Sequence, residues 1–200
     1  MGKDKSLTLP YPLILASTSK YRGELLSQLG WSFSAMAPGV DEDQFKNNSL
    51  TPHDLALTLS ECKAQAVFEK HPEACVIGSD QVCTLGDKIF SKPFTAEAAF
   101  NQLKEMQGKA HQLLTAVTVL SPSGKERFVN ITTLHMRNLS DEEIHFYISA
   151  DQPLDCAGSY KLEGRGIKLF HKIEMSDHTA IIGLPLIELT SVLMKWGYPL

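Results

Sequence analysis

The stretch Leu13–Gly30, Leu-Ile-Leu-Ala-Ser-Thr-Ser-Lys-Tyr-Arg-Gly-Glu-Leu-Leu-Ser-Gln-Leu-Gly, restricts the fold more than any other part of the chain. Leu13 to Ala16 is a short apolar run suited to an interior strand. Leu25, Leu26 and Leu29 then fall on one face of a helix that Gly30 is placed to end. Ser19, in the hydroxyl-rich turn between them, is the predicted N-cap. A helix N-terminus presents unpaired amides and a partial positive charge, so Ser17, Thr18 and Ser19 with Arg22 can hold an oxyanion there. Capping is also the ordinary work of Ser and Thr, so the turn taken alone is consistent with a core helix that binds nothing.

A chain of 200 residues with 43% apolar and 21% charged residues has the composition of an ordinary globular protein with a sizeable core. Its 19 Lys and Arg against 23 Asp and Glu, without long runs, argue against nucleic acid or an anionic membrane as the main partner. Small anions remain possible through local clusters. No apolar segment approaches the roughly 20 residues that span a bilayer, and Met1 to Pro10 lacks the apolar centre of a secretion signal, so a cytoplasmic protein is expected. Cys62, Cys75, Cys83 and Cys156 form no Cys-x-x-Cys pair and read as buried free thiols of a reducing compartment.

After the first helix, Trp31 to Ala37 reads as a strand, and Pro38-Gly39 turns it into Val40-Asp41-Glu42-Asp43. Such consecutive carboxylates suit a hard divalent cation or a solvated loop. Thr51-Pro52-His53-Asp54 opens a second helix, whose apolar face is Leu55, Leu59, Cys62 and Ala66. Lys63 lies beside that face, its amine either in water, the default, or aimed into a cleft beside the sheet. Ala74 to Gly78 is a buried-type strand that delivers Gly78-Ser79-Asp80-Gln81 at its carboxyl end, where open parallel sheets place ligands. Asp80 is there the foremost catalytic candidate or the cap of a turn. Gly86-Asp87 predicts a hairpin between Val82–Leu85 and Lys88–Ser91, and Lys92-Pro93 leads to a third helix capped by Thr95, with Phe100, Leu103 and Met106 inward.

The middle reads as scaffold. Gln112–Leu120 and Arg127–Arg137 are strands joined by Ser121-Pro122-Ser123-Gly124, and Ser140-Asp141-Glu142-Glu143 is a capping box. His53, His71, His111, His135, His145, His171 and His178 lack ligand spacing and read as surface or packing residues. The three glycines of Asp155-Cys156-Ala157-Gly158-Ser159-Tyr160-Lys161-Leu162-Glu163-Gly164-Arg165-Gly166 match neither the P-loop nor the dinucleotide fingerprint. A glycine-rich turn explains the glycines, but it does not require Glu163 between Lys161 and Arg165. Gly183-Leu184-Pro185 leads into a last helix with Leu186, Leu189, Leu193 and Trp196 inward, closed by Gly197.

Jointly, several segments resemble a known family in its own order. They are Leu-Ala-Ser-Thr-Ser with Arg22, Val-Asp-Glu at 40–42, Lys-Ala at 63–64, Ile-Gly-Ser-Asp-Gln at 77–81, Lys-Pro at 92–93, Ala-Gly-Ser-Tyr at 157–160 and Gly-Leu-Pro at 183–185. The family is the Maf nucleotide pyrophosphatases, and the likeness runs from about Pro12 to Gly197. Within it Tyr21, Gln81 and Glu163 occupy positions linked to base choice, and an aromatic at 21 with Glu163 resembles the branch acting on 7-methyl-GTP. The thymidine and uridine branch typically has Arg at the first of these positions and Gln at the last. Two departures are visible: Lys20-Tyr21-Arg22-Gly23 stands where the branch usually has Pro-Trp-Arg-Arg, and Cys62 replaces a more usual acid before Lys63.

The resemblance implies a mixed α/β fold with an elongated twisted sheet, flanking helices and two lobes around a cleft, of Maf/ITPase-like type. It further implies a single domain over residues 12–200 after an extension at 1–11, and a homodimer. The implied reaction cuts a nucleoside triphosphate between its α and β phosphates. Arg22, Lys63 and Lys92 neutralise the phosphates, and Ser17 seats them. Glu42 and Asp80 hold a divalent cation, Mg²⁺ or Mn²⁺, and Asp80 acts on the attacking water. The chemistry of the base agrees: methylation at N7 makes guanine cationic, which favours the face of Tyr21. Glu163 can accept both donors of the guanine edge, N1–H and the exocyclic amine. The alternatives are a dTTP/UTP pyrophosphatase of the same family and a non-catalytic nucleotide-binding regulator of cell division.

Overall fold

The computed structural model describes residues 9–45 and 50–200. The first eight residues of the expected N-terminal extension therefore lie outside the described residues. One mixed sheet of seven strands organises them: β1 (Leu13–Leu15), β2 (Phe33–Ala35), β3 (Cys75–Leu85), β4 (Lys88–Phe90), β5 (Ala110–Ser121), β6 (Gly124–Met136) and β7 (Phe170–Glu174). The order is β2-β1-β3-β5-β6-β7, with β4 also on β3. β2, β1 and β3 run parallel, whereas β5, β6 and β7 continue antiparallel from β3.

Six helices cover the sheet: α1 (Lys20–Ser27), α2 (Pro52–Phe68), α3 (Ala96–Met106), α4 (Asp141–Asp151), α5 (His178–Ile182) and α6 (Leu186–Lys195). The predicted caps are made. Ser19 Oγ accepts from Arg22 N, Thr51 Oγ1 from Asp54 N, and Thr95 Oγ1 from Ala98 N. Ser140 and Glu143 form the reciprocal capping box of α4. All four cysteines are free, and Cys75 and Cys83 are fully buried. Among the described residues no helix is long and apolar enough to cross a membrane.

Period-two alternation along β3 divides the core. On one face, Cys75 and Ile77 join the apolar cluster of β1, α1 and α6, while Cys83 joins a separate cluster of α3 and α4. On the other face, Val76 and Val82 pack under α2 with Ala64, Val67, Leu55 and Leu59. The edge of β3 away from β5 is divided as well. β1 pairs with Cys75–Ile77 and β4 with Cys83–Leu85, so Gly78 to Val82 have no strand beside them on that edge. This gap separates the two halves of the molecule.

Two expectations need correction. The segment Trp31–Ala37 is strand only over Phe33–Ala35, because Trp31 turns into the core instead, 5.3 Å from the Tyr198 ring. More consequentially, β3 does not end at Gly78. It runs unbroken from Cys75 to Leu85, so Asp80 sits mid-strand opposite Ala116 and not at a carboxyl end. Gly78-Ser79 has turn composition for reasons of packing. A Cβ on Gly78 would lie 2.3 Å from Ser60 O and 2.6 Å from Ala64 N, so the absent side chain is what lets α2 rest on the strand. Ser79 is buried and donates to Gly183 O at 2.9 Å.

Because those two contacts are to backbone, Gly78→Ala must push α2 away from β3. We expect a loss of about 1–3 kcal/mol, the scale of overpacking, read as a lower urea midpoint at unchanged slope.

Candidate active site

A cleft of about 650 Å³ opens at the gap in the sheet and is reached from both sheet faces. From one face, α2 aims Lys63 into it. The ammonium lies 2.6 Å from Asp80 Oδ1 and 2.6 Å from Glu42 Oε1. The default placement of this amine in solvent is thus not what the structure shows: Lys63 and Asp80 are both buried, while Glu42, on the single 3-10 turn Glu42–Phe45, is half exposed. α2 lies so close to β3 that a side chain leaving it beside the apolar face reaches the strand before it reaches water. Burial pushes the Asp80 carboxyl above the usual Asp range, against the opposing pull of Lys63 and Arg22.

Arg22 enters from the first turn of α1. Its Nε donates to Gly183 O at 2.9 Å and its Nη1 to Ser17 Oγ at 3.4 Å. Burial lowers the guanidinium pKa, and the fields of Asp80 and Glu42 oppose that fall. Ser17 Oγ also accepts from Ser19 N at 3.1 Å, so its oxygen is committed to the turn while its O–H proton is left to donate. Lys92 is exposed in the cleft wall and has no ion pair among the described residues. Ser17 and Arg22 thus lie together at the start of α1, with Arg22 in the field of the two carboxylates.

The cleft also has aromatic and acidic lining. Tyr21 is 48% exposed in its wall, and Phe90 and Phe94 line it as well. Gln81 donates its amide nitrogen to Thr115 Oγ1, Ala180 O and Ile181 O at 2.9–3.1 Å, which leaves its carbonyl oxygen as the group able to serve a ligand. Glu163 is exposed and lines the same cleft. Beside it Lys161 pairs with Asp155 at 2.8 Å, which holds the Asp155 carboxyl below its usual range and the Lys161 ammonium above its own. The segment Asp155–Gly166 forms two short 3-10 turns and not a single glycine-rich turn.

All the site residues anticipated from sequence line this cleft except Ser17, which reaches it through Arg22. Sequence reasoning missed the supports. Gly183 O receives both Arg22 Nε and Ser79 Oγ, and a Cβ at Gly183, whose φ is +118°, would meet Arg22 Nε at 3.2 Å. The visible signal was Gly183-Leu184-Pro185, which reads as a helix entry and carries no hint of a partner more than 150 residues away. The Asp155–Lys161 pair was likewise hidden in a glycine-rich run. Among the described residues no cluster of three or more His, Cys, Asp or Glu side chains gathers for a metal; Glu42 and Asp80 both lie against the Lys63 ammonium. A second pocket of about 410 Å³, between α4 and the turn at Arg165–Leu169, contains none of these residues.

Comparison with known proteins places this geometry in context. A protein from Bdellovibrio bacteriovorus named 7-methyl-GTP pyrophosphatase is 50% identical over 181 residues, covering 90% of this chain and 95% of its own. Proteins of the same name from Thiobacillus denitrificans and Pseudomonas aeruginosa are 47% and 41% identical, each covering 92% of this chain and 92% and 96% of their own. In fold, the chain is similar to the structure of the Staphylococcus aureus Ham1 protein, with a TM-score of 0.50 at 15% identity over 92% of this chain and 98% of that one. The family model described as Maf-like protein matches residues 12–196, and the chain belongs to that family.

Proposed function

We propose that the chain is a nucleoside triphosphate pyrophosphatase that hydrolyses 7-methyl-GTP to 7-methyl-GMP and diphosphate, with residues 12–200 as one catalytic unit. The observation that carries this reading is the buried Asp80 carboxylate, held by Lys63 on one side and within the field of Arg22 on the other. A site that only bound an anion would gain nothing from a carboxylate among its cations. A site that activates water needs one. The identity to proteins named for this reaction supports it, as does the acidic, aromatic lining with Tyr21 and Glu163.

The chain's own groups divide the work. Arg22 is fixed at Nε and Nη1 and turns Nη2 to the phosphates, joined by Lys92 and the Ser17 hydroxyl. Lys63 occupies Asp80 Oδ1, so Oδ2 is the atom that orients the water and takes its proton as the oxygen attacks the α phosphorus. The α–β bridging oxygen leaves with diphosphate. Tyr21 faces the cationic ring, while Glu163 and the Gln81 carbonyl accept from the guanine edge. The hard oxygens of Glu42 and Asp80 fit Mg²⁺ or Mn²⁺, which take few protein ligands and complete their shell with phosphate and water. Such an ion, when bound, neutralises charge on the phosphate oxygens.

The test is diphosphate release with Mg²⁺ from 7-methyl-GTP, GTP, dTTP, UTP and CTP at matched concentrations. Selective release from 7-methyl-GTP is expected, and activity confined to dTTP or UTP would refute the account of the base. Asp80→Asn should cut kcat by at least about 100-fold while the protein stays folded and binds nucleotide. Protonated Asp80 cannot accept from water, so kcat/KM should climb with pH through a point above the usual Asp range and then level; a profile still rising only in the ordinary carboxylate range would count against Asp80 as the base. Glu163→Gln replaces two acceptor oxygens by one, and should lower the kcat/KM ratio of 7-methyl-GTP to UTP. An unchanged ratio would remove Glu163 from base recognition.

A further inference from the structure

Three non-glycine residues in the described chain have positive φ: Phe94 at 58°, Gln152 at 45° and Ser159 at 62°. Two have a structural account. Gln152 closes α4 through its N–H to Ile148 O, and Ser159 is buried with its hydroxyl on Gln102 Oε1 at 2.7 Å. Phe94 neither closes a helix nor buries its side chain. A bulky side chain is poorly suited to left-handed backbone, where Gly or Asn would fit without strain. Its ring moreover remains 70% exposed, so it adds little to the core. The backbone is nevertheless held from both directions. Pro93 precedes it, Thr95 caps α3 directly after it, and its own N–H donates to Leu154 O at 3.0 Å. Strain kept in place by surrounding structure, with the side chain standing in a cleft, is the pattern of a functional position.

The bond to Leu154 O locates that position. Leu154 is followed by Asp155, which pairs with Lys161 at 2.8 Å, and Lys161 in turn lies within the field of the Tyr21 phenol. Phe94, Tyr21 and Glu163 all line the same cleft. We infer that Phe94 is a specificity-determining residue, supplying a second aromatic wall so that a positively charged, methylated purine is held between it and Tyr21. This rests on the function proposed above. The preference follows from ring electrostatics: a cation gains from each aromatic face it meets, and a neutral purine gains less. Pinning the ring in advance through Pro93, Thr95 and Leu154 also reduces the ordering needed when the base arrives.

The experiment measures KM and kcat for diphosphate release from 7-methyl-GTP and GTP in the wild-type chain and in Phe94→Tyr, Phe94→Leu and Phe94→Gly. Phe94→Leu keeps an apolar side chain but no aromatic face, and should raise KM for 7-methyl-GTP about five- to tenfold, with GTP changing less than about twofold and kcat kept for both. Phe94→Tyr should behave as wild type. Phe94→Gly relieves the backbone while removing the ring, so it should lose the same selectivity yet melt no lower than the wild type, which separates the ring's role from the fold's. A wild-type preference for 7-methyl-GTP that survives both Phe94→Leu and Phe94→Gly overturns this inference and leaves the proposed function standing. A wild type that does not distinguish 7-methyl-GTP from GTP overturns the proposed base recognition, and this inference with it.

Discussion

The backbone of α2 at Ser60 and Ala64 lies directly on Gly78, and the meeting of Lys63 with Asp80 at the centre of the cleft follows from that approach. With the helix this close, Ser60 also reaches Thr118 on β5 at 2.8 Å, so α2 is tied to two neighbouring strands at the middle of the sheet. Lys63, one turn from Ser60, is then too near β3 for its amine to escape into water, and it meets Asp80. A larger residue at 78 would not remove the Lys63–Asp80 pair chemically, but it would change the distance on which that pair depends. Packing here sets electrostatics, which is why a glycine with ordinary backbone geometry matters more to the site than the glycines at turns.

Buried ion pairs are poor sources of stability, because desolvating two charges costs about as much as their attraction returns. Lys63, Asp80 and Arg22 concentrate that cost in one place, and the direction of the Asp80 shift shows that desolvation exceeds the help of its two cations. A fold selected only for stability would fill this gap with apolar residues, as the neighbouring Val76 and Val82 do. The unpaired edge of β3 between Ile77 and Cys83 serves the same end. Closing the edge with a continuous strand would pair its backbone but seal the cleft beside Asp80.

Local elements were legible in the sequence wherever one short-range rule governed them. Ser19, Thr51, Thr95 and Ser140 all cap as their spacing indicates, and the β5–β6 hairpin forms at Ser121–Gly124. The reading failed at Gly78-Ser79, where turn composition competes with tertiary packing: glycine was needed for the helix above it and serine for Gly183 O, and neither partner is near in sequence. Lys63 failed for the same reason, since helical periodicity gives a direction around the helix and not what stands there. The order of family motifs pointed to residues that the fold brings to one cleft. Their geometry, above all the meeting of Arg22, Ser79 and Gly183, required the fold.

The charges of the cleft bear on what it can hold. Arg22, Lys63 and Lys92 against Glu42 and Asp80 leave a single excess positive charge, while the triphosphate of the proposed function brings several negative ones. On the function proposed above, the remaining charge would fall to a cation arriving with the phosphates, for which Glu42 and Asp80 would offer hard oxygens. Among the other lining residues the balance is reversed: Asp155 and Glu163 outnumber Lys161, and on the proposed function a cationic ring would correct an imbalance that a neutral ring would leave. On that proposal the two groups of residues would ask for opposite charges along one ligand. A nucleotide whose base is positive meets both demands, and an uncharged nucleobase on the same triphosphate meets only one.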